Sequence, residues 1–215
     1  MVTSFCSMKL KSLSLISASV LALAANAAAS TVFISEFHYD NAGGDVGEFV
    51  EIYVQNGTTL ADVTVTLYNG SNGTNYNSET ADQMTSGGTV ILGGIDFSIY
   101  AWTVAGIQNG SPDGIAVDVA GDVCEFISYE GGGGDFAATN GPASGLTSIN
   151  VGVSETSSTA VGSSIERIDN AWVVVADDSP GVANSGLTTN PLAVPEPSTA
   201  LLGGLALLGL FRRRR

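Results

Sequence analysis

Hydrophobic residues alternate with threonines in the run Val63-Thr64-Val65-Thr66-Leu67-Tyr68, which ends at Asn69-Gly70. A period of two residues places one set of side chains on one face of a β-strand. Asn followed by Gly supplies the positive φ angles that a tight hairpin turn requires. The run therefore predicts a strand that ends in a sharp reversal of the chain.

Runs rich in β-branched and aromatic residues recur on both sides of this strand, and Asn-Gly or Asp-Gly pairs separate several of them. They predict further strands at 31–39, 48–54, 89–92, 98–104, 115–119, 123–129, 164–168 and 171–175. Eight or nine short strands without a helical period predict an all-β sandwich, and we place this domain at residues 30–193.

Both ends of the chain have the composition of processing segments. Residues 1–29 combine basic residues at Lys9 and Lys11, an apolar stretch, and small residues that end at Ala29. This order is typical of a secretory signal peptide, which is removed on export. We therefore expect the body of the protein to lie outside the cytoplasm.

The C-terminal segment, residues 194–215, has three parts. They are a Val194, Pro195, Glu196, Pro197 motif, an apolar run over 200–211, and a cluster of Arg212, Arg213, Arg214 and Arg215. As a helix the apolar run measures about 18 Å, well short of a ~30 Å hydrocarbon core. It predicts a transient membrane helix whose arginines stay in the cytoplasm.

This segment resembles the PEP-CTERM sorting signal. The resemblance implies a membrane-inserted precursor that an exosortase cuts near the Pro-Glu-Pro motif, in a Gram-negative bacterium that makes exopolysaccharide. Glu196 is then recognised by the processing enzyme and has no catalytic part in this chain.

The middle domain contains a series of motifs that run in order from Ile34-Ser35-Glu36-Phe37 and Gly47-Glu48-Phe49-Val50 to Ser179-Pro180-Gly181-Val182. In these motifs it resembles the bacterial branch of the lamin-tail domain, an immunoglobulin-like β-sandwich. The resemblance implies an attachment or targeting role without shared catalytic residues.

Charge is distributed very unevenly along the chain. All 21 acids lie between Glu36 and Glu196, whereas Arg167 is the one base between Lys11 and Arg212. An acidic body repels phosphate backbones, so nucleic-acid binding is disfavoured. Cations, neutral glycans and basic proteins are the favoured partners.

Calcium is the one cofactor that the sequence suggests. Asp40, Asp45, Glu48 and Glu51 surround a glycine-rich loop, and calcium prefers such oxygen ligands. The alternative is a solvated acidic edge that discourages aggregation of strands.

Candidate catalytic residues are few. His38 is the sole histidine, so any Ser-His-Asp arrangement would need it. One histidine and one mature cysteine, Cys124, cannot supply the four ligands of a zinc site. We predict that Cys124 is a buried apolar residue, with a reactive or intermolecular thiol as the alternative. We predict that Trp172 packs in the core, with a place in a glycan platform as the alternative. Tyr129, Phe136 and Trp102 are candidates for a glycan platform.

These observations favour a non-catalytic surface or extracellular-matrix protein that binds exopolysaccharide or surface proteins. The alternative is a secreted hydrolase or a nuclease-associated module.

Overall fold

The structure is a computed structural model that describes residues 31–130 and 134–191. The predicted signal peptide and the predicted sorting segment both lie outside the described residues.

Eleven strands and two single-turn 3-10 helices, Leu60–Asp62 and Ala81–Gln83, form in this part of the chain. The strands are β1 (Val32–His38), β2 (Phe49–Gln55), β3 (Val63–Asn69), β4 (Thr74–Thr80), β5 (Thr85–Leu92), β6 (Ile95–Thr103), β7 (Asp113–Val119), β8 (Asp122–Tyr129), β9 (Ile149–Asn150), β10 (Ser164–Ile168) and β11 (Ala171–Val175).

The strands form two packed sheets. The first sheet, sheet A, has the order β11-β10-β1-β2-β6-β5, and the second, sheet B, has the order β4-β3-β7-β8-β9. Every pairing is antiparallel except that of β8 with β9. The predicted all-β sandwich is confirmed at this level, and the immunoglobulin-like assignment stays a prediction.

The main core lies between the two sheets. Sheet A contributes Ile34, Phe37 and Ile52, and sheet B contributes Leu67 and Ile127, all buried in one cluster. The alternation in β3 has the predicted effect, because Val63, Val65 and Leu67 all belong to this cluster.

Segments outside the sheets cover both outer faces of the sandwich. On sheet A, the strap, which we define as residues 178–187, places Leu187 against a cluster that includes Phe33 and Phe97. On sheet B, Ala138 and Ala143 pack against Tyr68 and Phe126. Apolar side chains on the outer faces are therefore buried as well as those between the sheets.

The nine predicted strands are confirmed, with bounds that differ by a few residues. Two strands, β4 and β9, were not predicted. The sequence of β4, Thr-Asn-Tyr-Asn-Ser-Glu-Thr, has no alternation of apolar residues, and the strand is defined by its pairing with β3. Among the described residues, no helix is long and apolar enough to cross a membrane.

Candidate binding groove

A groove of about 740 Å³ opens between the two sheets at one side of the sandwich. One wall comes from β8, β9 and the residues after β9, and the other from the end of β10 and the start of β11. Apolar side chains on its rim face solvent, since Ile149 is 73% exposed and Leu146 is 44% exposed. The groove is therefore an open cleft with exposed apolar side chains on its rim.

A buried ion pair crosses the groove from sheet to sheet. Arg167 on β10 donates through Nη2 to Oε1 of Glu125 on β8. The second carboxylate oxygen of Glu125 accepts the main-chain amide of Ile34 at 2.9 Å. The pairing of β1 with β2 shifts register between Ile34 and Glu36, at the same place. The pair thus joins the two sheets where the ladder is irregular.

Arg167 is not fully satisfied by these contacts. Its side chain is 7% exposed, yet Nε and Nη1 have no hydrogen-bond partner among the described residues. The guanidinium carbon lies 4.5 Å from the ring centroid of Trp172, a cation–π contact. Neither Arg167 nor Glu125 was predicted as a site residue, although Arg167 was recognisable as the one base of the body.

Trp172 forms part of the wall of the groove and is half-buried. The inner part of the ring packs against Phe37 with centroids 5.5 Å apart in an edge-on arrangement. The prediction of core packing is thus correct for this contact, while the rest of the side chain lines the groove. Trp172 can offer aromatic surface to a ligand without losing its anchor.

The other aromatic candidates are placed differently. Trp102 is 8% exposed and Tyr129 is fully buried, both in the main core, and Phe136 packs on Phe126 with centroids 5.3 Å apart. The expectation that these three residues form one glycan platform is wrong, because Trp102 and Tyr129 are buried in the main core, whereas Phe136 is half-buried in a loop over the outer face of sheet B. Cys124 is half-buried and lines the groove, so it is less enclosed than predicted.

His38 is buried at the end of β1 and held from both sides. Its Nδ1 lies 2.7 Å from Oε1 of Glu155, and its Nε2 lies 2.7 Å from Nδ2 of Asn41. Because Asn41 Nδ2 also donates to the carbonyl of Val46, it is the donor to His38 Nε2. The proton of the neutral ring therefore sits on Nδ1 and is donated to Glu155.

The same contacts govern the pKa of His38. Burial alone would lower the pKa, but the hydrogen bond and the negative charge of Glu155 outweigh it and raise the pKa above its ordinary value. Glu155 also accepts the amide of Tyr39 at 2.8 Å. This arrangement ties the segment around Glu155 to β1, and the imidazole is 1% exposed.

The four predicted calcium ligands do not come together as one set. Asp40 and Asp45 interact with each other, which with burial raises the pKa of Asp40. Glu48 accepts the amide of Gly106 at 2.6 Å. Glu51 is held elsewhere, as described next. Within residues 31–130 and 134–191, no group of three or more His, Cys, Asp or Glu could hold a metal ion. Calcium binding at Asp40, Asp45, Glu48 or Glu51 stays a prediction.

Glu51 belongs to a row of three carboxylates on the outer face of sheet A. Glu36 lies opposite Glu51 in the β1–β2 ladder and opposite Glu166 in the β1–β10 ladder. The strap covers this row: Ser179 donates its amide and its hydroxyl to Glu36, and Gly181 donates its amide to Glu51. Burial, with the charges of Glu36 and Glu166, raises the pKa of Glu51 to about 8. The row is therefore a site where the strap is attached to the sheet.

The described residues form an all-β sandwich with an open groove beside Trp172. The model of the PEP-CTERM protein-sorting motif matches residues 193–215 of the chain. The protein is thus exported and sorted by an exosortase, and proteins with this motif go to the surface of Gram-negative bacteria. None of the curated proteins and none of the solved structures compared with the chain matches it.

Proposed function

We propose that the chain is a non-catalytic binding module of the bacterial surface or extracellular matrix, and that it binds a glycan or a protein in the groove beside Trp172. One observation carries this proposal. The chain covers the apolar parts of both outer sheet faces with its own loops, yet it leaves a cleft of about 740 Å³ open at Trp172. A concave cleft with exposed apolar side chains is typical of a binding site.

The geometry of His38 supports the absence of catalysis. A general base must reach a substrate proton, whereas this imidazole is buried and both ring nitrogens are engaged by Glu155 and Asn41. The resemblance to the lamin-tail domain is part of the same proposal, because it implies attachment and no shared catalytic residues. The exopolysaccharide and surface proteins of the producing cell are the proposed partners.

The proposal is tested by measuring whether the protein binds the exopolysaccharide and surface proteins of the cell that produces it. The exported protein is recovered after processing, and its binding to extracted exopolysaccharide and to surface proteins is measured. Trp172→Ala is expected to weaken binding roughly tenfold, as loss of an aromatic anchor does, and Trp172→Phe should retain most of it. Ile91→Ala is the matched control, because Ile91 is 67% exposed on β5. Equal retention of the Trp172→Ala variant would exclude the groove.

The hydrolase alternative is tested on the same preparation. Turnover of nucleic acid or polysaccharide by the wild-type protein, with and without divalent metal, is expected to stay at background. Metal-dependent turnover that disappears in His38→Ala, in a variant shown to be folded, would overturn the non-catalytic proposal.

A further inference from the structure

The strand β11 has an unprotected edge. It is the outer strand of sheet A, and its one partner among the described strands is β10. Its sequence, Ala-Trp-Val-Val-Val, contains no charge, proline or glycine. Within residues 31–130 and 134–191, no other main-chain group bonds to the outer side of this strand. An edge of this kind is a template for an additional strand.

The other three sheet edges carry protective contacts. On β5, the amide of Gly88 donates to the carbonyl of Gly181 in the strap at 2.8 Å. On β4, the amide of Asn75 donates to the side chain of Asn140 at 2.8 Å. β9 is two residues long, and its Asn150 amide is bonded by Asp135. The lack of such a contact on β11 is thus a local feature of that edge.

The open edge and the groove form one continuous surface. Side chains alternate along a strand, so Trp172 and Val174 share one face of β11, and Trp172 is in the wall of the groove. Val174 is 46% exposed on that face. A strand added to β11 would place every second side chain over the mouth of the groove, towards Ile149 of the opposite wall. Main-chain bonds would then supply affinity and the groove would supply specificity.

Charge distinguishes a second copy of this chain from a different partner. In an antiparallel pairing of two copies centred on Val173, Asp169 of one copy would lie opposite Asp177 of the other. The amides of Thr188 and Thr189 lower the pKa of Asp169, which keeps it ionised. Like charges directly opposite each other destabilise a strand pair. Self-pairing is therefore opposed at both ends of the strand.

We propose that β11 and the adjoining groove accept an extended segment of a partner protein by strand addition, and that this segment is apolar at alternate positions and basic at its ends. The proposal rests on the proposed function, because it names the ligand class of the same groove. The basic ends lie near the charges of Asp169 at one end of β11 and Asp177 at the other, and the apolar side chains contact Trp172. Thr188 and Thr189 already donate to the Asp169 carboxylate, so its attraction for a basic end is electrostatic and acts at the surface.

Defined peptides test the partner chemistry on the exported protein. The first peptide alternates valine and threonine and has lysines at both ends. The second has glutamates at the ends, and the third is the lysine peptide with N-methyl groups on alternate residues. Binding is followed by tryptophan fluorescence, and the Trp172→Phe variant shows which part of the signal comes from Trp172 and which from the buried Trp102. We expect the lysine peptide to bind and the glutamate peptide to bind at least roughly tenfold more weakly. The N-methylated peptide should lose binding when the methyl groups lie on the residues whose amides face β11.

Two exposed valines provide matched variants. Val174→Lys places a charge on β11, and Val182→Lys places the same charge on the strap, where Val182 is 62% exposed. Val174→Lys is expected to reduce the affinity for the lysine peptide about tenfold, because a lysine on an edge strand opposes strand pairing. Val182→Lys should bind like the wild type. The melting temperature of each variant shows that it is folded.

The outcomes separate this inference from the function it rests on. Binding of a neutral oligosaccharide that changes Trp172 fluorescence, with no binding of the lysine peptide, overturns strand addition and leaves the groove as a ligand site. Equal binding of the lysine and glutamate peptides overturns the basic partner. The groove proposal fails as well if neither peptide nor oligosaccharide binds and the Trp172→Ala variant still binds the producer's exopolysaccharide and surface proteins as the wild type does.

Discussion

Buried charged groups have a full set of hydrogen-bond partners on the outer face of sheet A but an incomplete set in the groove at β11. On the outer face, Glu36 and Glu51 are covered by the strap, and both oxygens of each carboxylate have a hydrogen-bond donor. In the groove, Arg167 is equally buried but keeps two nitrogens without a partner among the described residues. The chain's own donors complete the cluster on the outer face, whereas part of Arg167 is left without a partner beside the cleft in which we propose that a ligand binds.

The largest effect is expected from breaking the cross-sheet pair. Glu125→Ala leaves the Arg167 guanidinium buried without a carboxylate and removes the acceptor of the Ile34 amide. We expect a loss of about 3–5 kcal/mol in the free energy of unfolding, the cost of an uncompensated buried charge. Denaturant unfolding measures it. The double variant Glu125→Leu with Arg167→Leu should recover most of the loss, and a double variant as unstable as the single one would contradict this reading.

A smaller effect is expected at the strap. Ser179→Ala removes the hydroxyl that donates to Glu36 Oε2 at 2.7 Å and leaves a buried carboxylate oxygen without that donor. The expected loss is about 1–3 kcal/mol, as for an unsatisfied buried acceptor. Ser157→Ala, at an exposed serine, is the control and should change stability by no more than about 0.5 kcal/mol. A loss at Ser179 equal to that of the control would mean that the Ser179 hydroxyl is not needed to hold the strap, and that its main-chain amides and Leu187 are sufficient.

The two regions also differ in how far the sequence could predict them. The alternation of apolar residues and the turn residues were sufficient to predict nine of the strands, because these signals depend only on neighbouring residues. The contacts that make the sites are not local: His38 meets Glu155 at a separation of 117 residues, and Arg167 meets Glu125 at a separation of 42. Pairings of this range depend on sheet order and register, which local pattern does not encode.

Trp102 and Trp172 illustrate the same limit. Both stand in apolar strand segments, so the sequence treats them alike. The structure buries Trp102 in the main core because its strand β6 lies inside sheet A, whereas β11 is the edge strand and leaves Trp172 half-buried at the groove. The position of a strand in its sheet, rather than its composition, determines which tryptophan can contact a ligand.

The carboxylate row makes the strap sensitive to pH. The pKa of Glu51 rises from 4.5 to about 8 in the folded state, so the folded protein holds an extra proton between these values. This contribution to stability is fully present below pH 4.5 and is lost as the pH rises through about 8. The melting temperature should therefore fall between pH 5 and pH 9. His38, with its raised pKa, and Glu130, whose pKa burial raises to about 7, act in the same direction.

The Glu51→Gln variant shows how much of the pH dependence of the melting temperature comes from the carboxylate row. A glutamine cannot ionise, so the fall in melting temperature between pH 5 and pH 9 should become shallower by a few degrees. Asp96→Asn, at an exposed aspartate on β6, is the control and should keep the wild-type slope. If the Glu51→Gln variant follows the wild-type curve throughout, the carboxylate row is not what gives the strap its pH dependence.

The smallest effect is expected at Cys124, and it tests whether the groove wall is open. Cys124 is half-buried there, and its thiol lies 3.7 Å from the carbonyl of Asp122. A serine hydroxyl at this half-buried position can bond to solvent, so Cys124→Ser should cost no more than about 0.5 kcal/mol. Ala116→Ser is the comparison, because Ala116 is fully buried on the covered face of sheet B, where an added hydroxyl costs about 1–3 kcal/mol. The denaturant midpoints of the two variants measure these losses of stability. A loss for Cys124→Ser as large as that for Ala116→Ser would mean that the groove is closed in solution. The proposed partner segment could then contact only the strand edge of β11.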